Sequence, residues 1–205
     1  MRTRRATTLE YALLGLLHQE AQSGYGLRKQ FAATPLRYFS DSPGAIYPAL
    51  RRLVARGWVV AGAPQGGRRR QEFRLGGRGR AAFVAWLRQP VTDADVVYGV
   101  EELMLRFAFM DQVLPRAAIR SFLVEYGRRM TSQLEALRRF HGRHARALPL
   151  TGRLAFEHGL AQCEAETEWV RSAVRALAGT TEGGRGGSHG KQVTAPRVPR
   201  KEDQT

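Results

Sequence analysis

The first 90 residues change hydrophobic period in a fixed order, and this order limits the folds open to the chain. Three segments repeat apolar residues every three or four positions, as one face of a helix does. Two short apolar runs separated by a turn-rich stretch follow and indicate a β-hairpin, after which the helical period returns. The predicted helices cover residues 8–19, 23–34, 43–57 and 77–89, and the predicted strands cover 58–61 and 71–75.

Residues typical of helix caps precede the first three helices. Thr8, Ser23 and Ser42 each carry a hydroxyl that can accept a hydrogen bond from the free N–H groups of a first helical turn. Pro43 follows Ser42 at the first helical position, where its missing N–H costs nothing. We therefore expect the third helix to begin at Pro43.

The third predicted helix has one apolar face and one polar face. Its buried stripe is Ile46, Leu50, Leu53 and Val54. The helical spacing then leaves three large polar side chains on the outward face. These are Tyr47, Arg51 and Arg52.

Positive charge is concentrated in the same part of the chain. Sixteen Lys and Arg residues and four acidic residues lie in residues 1–89, whereas residues 90–178 hold twelve and eleven. Like charges repel in a compact state, so this surplus indicates an anionic partner. Arginine accounts for thirty of the 33 basic residues, and its planar guanidinium suits phosphate oxygens and guanine edges. Nucleic acid is therefore the first candidate partner.

Three helices, a two-stranded hairpin and a fourth helix, in this order, predict a winged helix-turn-helix. In that fold the third helix enters the major groove of DNA and the hairpin lies along the flanking backbone. Ser42 and the backbone amides of Gly44 and Ala45 lie at the N-terminus of the third helix, where phosphate binds favourably. The tip of the hairpin carries three arginines that can reach phosphates or a minor groove: Arg68, Arg69 and Arg70.

The second half of the chain predicts long helices. Residues 100–110 are strongly apolar, and residues 116–148 and 151–177 repeat apolar positions in alternating steps of three and four. Such a heptad seam can be buried by two antiparallel helices and by a partner. We predict a mainly α protein whose all-α C-terminal domain dimerises through two long helices. The candidate dimer-interface residues are Leu103, Phe107, Leu123, Tyr126, Met130, Leu137, Leu160, Cys163, Trp169, Val170 and Val174.

These patterns divide the chain into three parts. We expect a DNA-binding domain at residues 1–90, a dimerisation domain at 91–178 and a disordered tail at 179–205, since the tail consists of Gly, Thr, Pro and charged residues. The sequence has no long apolar run, no signal peptide and one cysteine, so we expect a cytoplasmic protein that does not bind membranes.

Several motifs resemble the PadR family of bacterial transcriptional regulators, and the third of them is the most specific. The resemblance extends from residue 9 to residue 177 and includes the closing helix of the longer subfamily. The motifs are LLGLL at residues 13–17, SGYGL at 23–27, SPGAIYPALRRL at 42–53, LAFEHGL at 154–160 and EAETEW at 164–169.

The resemblance implies a homodimeric repressor on a pseudo-palindromic operator, in some members released by a small aromatic ligand. It places DNA contacts at Tyr25, at the start of the third helix and at the wing tip. The wing departs from the family pattern, because this chain reads GRRRQEF where members commonly have a proline. The full set of candidate DNA-binding residues is Tyr25, Lys29, Ser42, Pro43, Gly44, Ala45, Tyr47, Arg51, Arg52, Arg68, Arg69 and Arg70.

The aromatic residues of the helical regions allow two interpretations. They form either core and interface or the lining of an effector pocket. Cys163 lies among apolar positions, where a thiol acts as a small hydrophobe, although a redox switch is the alternative. The aromatic residues concerned are Trp86, Phe107, Phe109, Tyr126 and Trp169.

A different class of function stays open beside DNA binding. A basic winged helix can also bind a protein partner, with the heptad helices as a docking arm, because a fold does not determine a function. The sequence has no nucleophile elbow, phosphate-binding glycine loop or metalloprotease motif. We therefore expect no enzyme activity, no cofactor and no metal site.

Overall fold

The structure of the chain, a computed structural model, describes residues 5–38, 42–63 and 71–179. It is mainly α, with one small sheet near the N-terminus and two long helices at the C-terminal end. This is the predicted fold class. The elements are α1 Thr8–Gln19, β1 Gln22–Ser23, α2 Gly24–Ala33, α3 Pro43–Ala55, β2 Val59–Ala61, β3 Glu72–Leu75, α4 Gly77–Leu87, α5 Asp93–Tyr98, α6 Val100–Met110, α7 Arg116–His144 and α8 Leu150–Gly179.

The predicted caps of α2 and α3 are confirmed. The Ser23 hydroxyl accepts a hydrogen bond from the Gly26 amide at 3.1 Å, and the Ser42 hydroxyl accepts one from the Gly44 amide at 3.2 Å. Pro43 is the first residue of α3.

The predicted cap of α1 is wrong by one residue. Thr7 is the cap, because its hydroxyl accepts a hydrogen bond from the Glu10 amide and the Glu10 carboxylate accepts one from the Thr7 amide, at 3.2 and 3.1 Å. This reciprocal pair is a capping box, which the T-x-x-E spacing indicates in the sequence. Thr8 is the first helical residue, and its hydroxyl instead donates to Glu102 on α6 at 3.1 Å.

The hairpin of β2 and β3 is confirmed, and a third strand extends its sheet. The short strand β1, in the connection from α1 to α2, pairs antiparallel with β3 so that Gln22 lies opposite Phe73. The strand order is β1-β3-β2. Two residues are too few to show an alternating pattern, so the sequence contained no signal for β1. The strand fixes the start of α2 against the base of the wing.

Helix α6 completes the core of the N-terminal region. The Phe109 ring lies against Gly15 of α1, where a Cβ would come within 2.6 Å of the ring. Phe109 also meets Phe83 of α4 edge to face, with 5.8 Å between ring centroids. Because α1 and α4 leave a hollow that α6 fills, the winged helix shares its hydrophobic core with the helices that follow it.

Polar contacts also join α6 to the winged helix. The Glu102 carboxylate accepts a hydrogen bond from the indole N–H of Trp86 at 2.9 Å, in addition to the one from Thr8. Arg106 is 2% exposed and donates to the carbonyl oxygens of Leu87 and Gln89 after α4. Burial lowers the pKa of the Arg106 guanidinium below its ordinary value. Buried polar groups need such partners, so these contacts restrict how α6 can sit on α1 and α4.

Helix α5 was not predicted from the sequence. It is short, and Thr92 caps it through a second capping box with Asp95. Arg129 of α7 pairs with Asp93 at the start of α5 at 2.5 Å and with Glu125 at 2.7 Å. The pair with Asp93 joins α5 to α7, whereas the pair with Glu125 lies within α7.

Helices α7 and α8 pack against each other as an antiparallel pair. The Tyr126 hydroxyl of α7 donates to Glu166 of α8 at 2.6 Å, and burial strongly raises its pKa. Arg138 pairs with Glu164 across the same contact at 2.7 Å. The predicted heptad seam therefore lies largely between the two helices of one chain.

Cys163 lies in this seam and is 7% exposed. Burial raises the pKa of its thiol above the ordinary value, which disfavours the thiolate. Since the thiolate is the reactive form, the hydrophobic interpretation of Cys163 fits the structure better than the redox switch.

None of the described helices is long and apolar enough to cross a lipid bilayer.

Removal of the Glu102 side chain should destabilise the fold. Glu102→Ala leaves the buried indole N–H of Trp86 and the Thr8 hydroxyl without their acceptor, so we expect the free energy of unfolding to fall by about 2 kcal/mol. Glu101→Ala is the matched control, since Glu101 is exposed in the same helical turn and should change stability by less than about 0.5 kcal/mol. Thermal and urea unfolding measure both, and equal effects would contradict this role of Glu102.

Candidate nucleic-acid interface

The outward face of α3 is defined by what the opposite face buries. Ile46, Leu50 and Leu53 are at most 1% exposed, as predicted, and Ala49 is buried beside them. Val54, predicted to be buried, is only half-buried because it lies at the edge of this stripe. The solvent-facing residues of α3 include Gly44, Tyr47, Arg51 and Arg52.

The first turn of α3 is capped within the chain. Gly44 is exposed and Ala45 is half-buried. The Gly44 amide donates to the Ser42 hydroxyl, and the Ala45 amide donates to the Ser42 carbonyl oxygen at 3.0 Å. The positive end of the helix dipole is accessible here, but a bound phosphate would share these amides with Ser42.

Two exposed tyrosines lie on the neighbouring helices α2 and α3. Tyr25 is 60% exposed and Tyr47 is 40% exposed. The Tyr47 ring lies on Gly24, where a Cβ would come within 2.6 Å of ring atom Cε1. Only glycine permits this approach, so Gly24 determines where the Tyr47 ring lies at the surface.

Helix α2 adds two cations to this surface. Lys29 is exposed and lies four residues after Tyr25, which places both on one helical face. The Arg28 guanidinium lies 5.4 Å from the centroid of the Tyr25 ring, a cation–π contact. Arg28 was not among the predicted contacts, although its spacing from Tyr25 would have identified it.

Arg51 and Arg52 differ in their surroundings although they are neighbours. Arg51 is exposed and has no hydrogen bond or ion pair within the described part of the chain. The Arg52 Nε donates to the carboxylate of Glu10 on α1 at 2.6 Å, while 43% of its side chain stays exposed. Arg52 thus belongs both to the surface and to an internal ion pair.

The described residues include the base of the wing but not its tip. Arg68, Arg69 and Arg70 lie outside the described residues. At the base of the wing and the start of α4, Arg74, Arg78 and Arg80 are exposed, and sequence reasoning did not select them. Arg78 and Arg80 lie in the predicted helix 77–89, at positions typical of ordinary solvent-exposed residues.

The candidate dimer-interface residues fall into two groups. Some are at most 7% exposed and fill the core of the single chain: Leu103, Leu123, Tyr126, Met130, Cys163 and Val170. The others retain accessible surface: Phe107, Leu137, Leu160, Trp169 and Val174. Only the second group has surface to offer a partner, so the predicted interface is narrower than the heptad pattern indicates.

Most of the candidate pocket aromatics are core residues. Trp86, Phe109 and Tyr126 are at most 5% exposed. Phe107 and Trp169 meet edge to face at 5.7 Å between α6 and α8, and Trp169 is 37% exposed.

A cleft of about 270 Å³ between α5 and α7 involves none of these aromatic residues. Its lining is predominantly polar, and no group of three His, Cys, Asp or Glu residues gathers at metal-binding distance in the described ranges. The lining residues are Asp93, Val96, Arg128, Arg129, Ser132 and Gln133.

Two family models match the chain. The model of the transcriptional regulator PadR-like family matches residues 13–85. The model named virulence activator alpha C-term matches residues 101–178. Together they cover residues 13 to 178 except for residues 86–100, which contain the end of α4 and all of α5. No curated protein matches the chain.

Solved structures with similar chains belong to the same family. Bacillus subtilis PadR in complex with operator DNA is 21% identical, with a TM-score of 0.39, and the match covers 83% of this chain and 99% of that one. The same protein in complex with p-coumaric acid is 20% identical over 84% and 99%, with a TM-score of 0.38. A PadR-like regulator of Bacillus cereus is 20% identical over 83% and 98%, with a TM-score of 0.36.

Substitution of Gly24 should move the Tyr47 ring with little loss of stability. The Gly24→Ala methyl would collide with the far end of a side chain that can rotate, so we expect a cost of about 1 kcal/mol or less. Gly26→Ala is the control on the same helix, because its Cβ would lie 3.4 Å from its nearest neighbour. NMR shifts of the Tyr47 ring should change only in Gly24→Ala, and unchanged shifts there would refute the contact.

Proposed function

The chain belongs to the PadR-like family of transcriptional regulators, and on this premise we propose that it represses transcription by binding a pseudo-palindromic operator as a homodimer. Members of this family are regulators and not enzymes. The proposal assigns DNA binding to residues 1–90 and dimerisation to residues 91–178.

The outward face of α3 carries this proposal. Arg51 and the Tyr47 ring are exposed there, and Tyr25 and Lys29 are exposed on α2. The formal charge of this part of the chain is strongly positive. A helix of this kind enters the major groove with its N-terminal residues against base edges. Tyr47 and the residues from Ser42 to Ala45 then lie where bases are read, whereas Arg51, Lys29 and the wing contact the backbone.

Phosphate contacts supply most of the affinity in this mechanism. Each neutralised phosphate releases counterions, so binding weakens as salt rises. Tyr25 and Arg28 can act together, since the ring restricts the guanidinium and an ordered cation loses less entropy on binding. The arginines Arg68, Arg69 and Arg70 would add contacts from the wing tip.

A homodimer gives this mechanism its specificity. Two winged helices at a fixed separation recognise two half-sites one helical turn of DNA apart. After the first winged helix binds its half-site, the second binds at high effective concentration. Trp169 supports an interface on α8, because it is an aromatic residue that is 37% exposed on this helix. Exposed aromatic residues are enriched at protein interfaces.

A small aromatic effector would act by changing the angle between the two dimerisation domains of the homodimer. A ligand weakens operator binding only by its differential affinity for two arrangements of the dimer. The contact of Phe107 with Trp169 supports this part of the proposal, because it joins α6, which packs on the winged helix, to α8. Quenching of tryptophan fluorescence by planar aromatic acids, absent in Trp169→Phe, tests it.

The rival function, a winged helix that binds a protein partner, makes a different prediction for DNA. Fluorescence anisotropy with random duplex DNA at low salt separates the two, because a basic DNA-binding surface binds any duplex under these conditions. Failure to bind would favour the rival.

The wing and Tyr47 should have different effects on binding. Replacement of Arg68, Arg69 and Arg70 by alanine should weaken binding to all duplexes and lower the slope of log K against log salt by about three. Tyr47→Ala should mainly reduce the ratio of operator to random binding. Titrations at several salt concentrations measure both, and a triple variant with the parent slope would exclude phosphate contacts by the wing.

Trp169→Glu should convert the dimer to a monomer. A carboxylate in the interface would be desolvated without a partner, which opposes association. Sedimentation velocity measures the change, and circular dichroism confirms that α8 persists.

Leu150→Glu is the control for this experiment. Leu150 is exposed at the other end of α8, about 28 Å from Trp169 along the helix. This variant should remain dimeric, and a Trp169→Glu protein that also sediments as a dimer would contradict the proposed interface.

A further inference from the structure

The ion pair between Glu10 and Arg52 connects the inside of the winged helix to its outward surface. Glu10 is 1% exposed, whereas 43% of the Arg52 side chain is exposed. The pair therefore joins a buried carboxylate of α1 to a partly exposed guanidinium of α3. An isolated buried carboxylate would be unfavourable, so Arg52 also stabilises the charge of Glu10.

Both oxygens of Glu10 are occupied. One accepts the Arg52 Nε hydrogen bond at 2.6 Å, and the other accepts the Thr7 amide in the capping box at 3.1 Å. The capping box fixes the carboxylate relative to the axis of α1. Glu10 is thus a rigid acceptor and not a mobile surface residue.

Arg52 uses only one edge of its guanidinium in this contact. Nε donates to Glu10, and its two terminal nitrogens have no hydrogen bond within residues 5–38, 42–63 and 71–179. An arginine presents five donors in a planar fork, so one edge can be held by a carboxylate while the terminal groups face another anion. Arg51, one residue earlier, has no such restraint.

From this geometry we infer that Glu10 is a positioning residue for DNA binding: it holds Arg52 so that the terminal nitrogens of the guanidinium contact a phosphate of the operator. The inference rests on the proposed function. A free arginine loses side-chain entropy when a phosphate immobilises it. Glu10 orders Arg52 before DNA binds, and this loss is avoided.

The inference predicts an effect opposite in sign to simple electrostatics. Glu10→Gln removes a negative charge from a DNA-binding domain, which by charge alone would tighten binding to DNA. If Glu10 positions Arg52, the same substitution should weaken operator binding by about two- to tenfold, which corresponds to the entropy of one long side chain.

The experiment compares four full-length proteins: the parent, Glu10→Gln, Arg52→Ala and the double variant. Operator binding is titrated at several salt concentrations, at a temperature where circular dichroism shows each variant folded. Arg52→Ala should lower the salt slope by about one, and Glu10→Gln should keep the parent slope. Glu10→Gln should weaken binding only where Arg52 is present.

Glu20→Gln is the matched control. Glu20 is exposed, directly after α1 and about 15 Å along the helix from Glu10, so it removes the same charge without touching Arg52. Its operator affinity should equal that of the parent or exceed it slightly.

The outcomes separate this inference from the proposed function. A parent that binds no duplex DNA refutes the proposed function. A parent that binds, with Glu10→Gln binding equally or more tightly, or with Arg52→Ala retaining the parent salt slope, overturns the role of Glu10 alone. Loss of stability in Glu10→Gln without loss of affinity in the folded protein also overturns it.

Discussion

Burial of a single apolar stripe on α3 is the constraint from which the surface of the N-terminal region follows. Ile46, Ala49, Leu50 and Leu53 commit one side of the helix to the core. The helical period then leaves Gly44 and Arg51 facing solvent, with Tyr47 and Arg52 at the two edges. A change in the stripe would rotate the helix and alter every residue that faces outward.

The two edges of α3 are each fixed by another helix. At one edge the Tyr47 ring lies on Gly24 of α2, and at the other Arg52 pairs with Glu10 of α1. One contact depends on the absence of a side chain and the other on a buried carboxylate. Both contacts restrict the surface side chains of Tyr47 and Arg52 in the free chain. A side chain that is already restricted loses less conformational entropy when it binds a partner.

Helix α6 packs on the winged helix through Phe109 and contacts both long helices through Phe107. Phe109 fills the hollow beside Gly15, while Glu102 and Arg106 satisfy polar groups at the ends of α1 and α4. Movement of α6 would expose apolar surface and leave these polar groups without hydrogen-bond partners. Both changes raise the free energy of the chain, so they oppose the movement. The position of α6 is therefore fixed relative to α1 and α4.

The sequence by itself determined the local features: helix periods, the hairpin, the caps at Ser23 and Ser42 and the residues that face outward on α3. These depend on neighbours within a few positions. It did not indicate β1, which pairs with a strand fifty residues later. The spacing of Thr7 and Glu10 did indicate the cap of α1, although the prediction placed that cap at Thr8.

Only the tertiary structure decided which residues meet across the chain. The pair of Glu10 and Arg52, the contact of Gly24 with Tyr47 and the burial of Tyr126 and Val170 within one chain all join distant segments. A heptad pattern shows that a seam must be covered, but not whether the same chain or a second one covers it. Hydrophobic burial depends on the area removed from water and not on which chain supplies the cover, so the path of the folded chain had to settle this point.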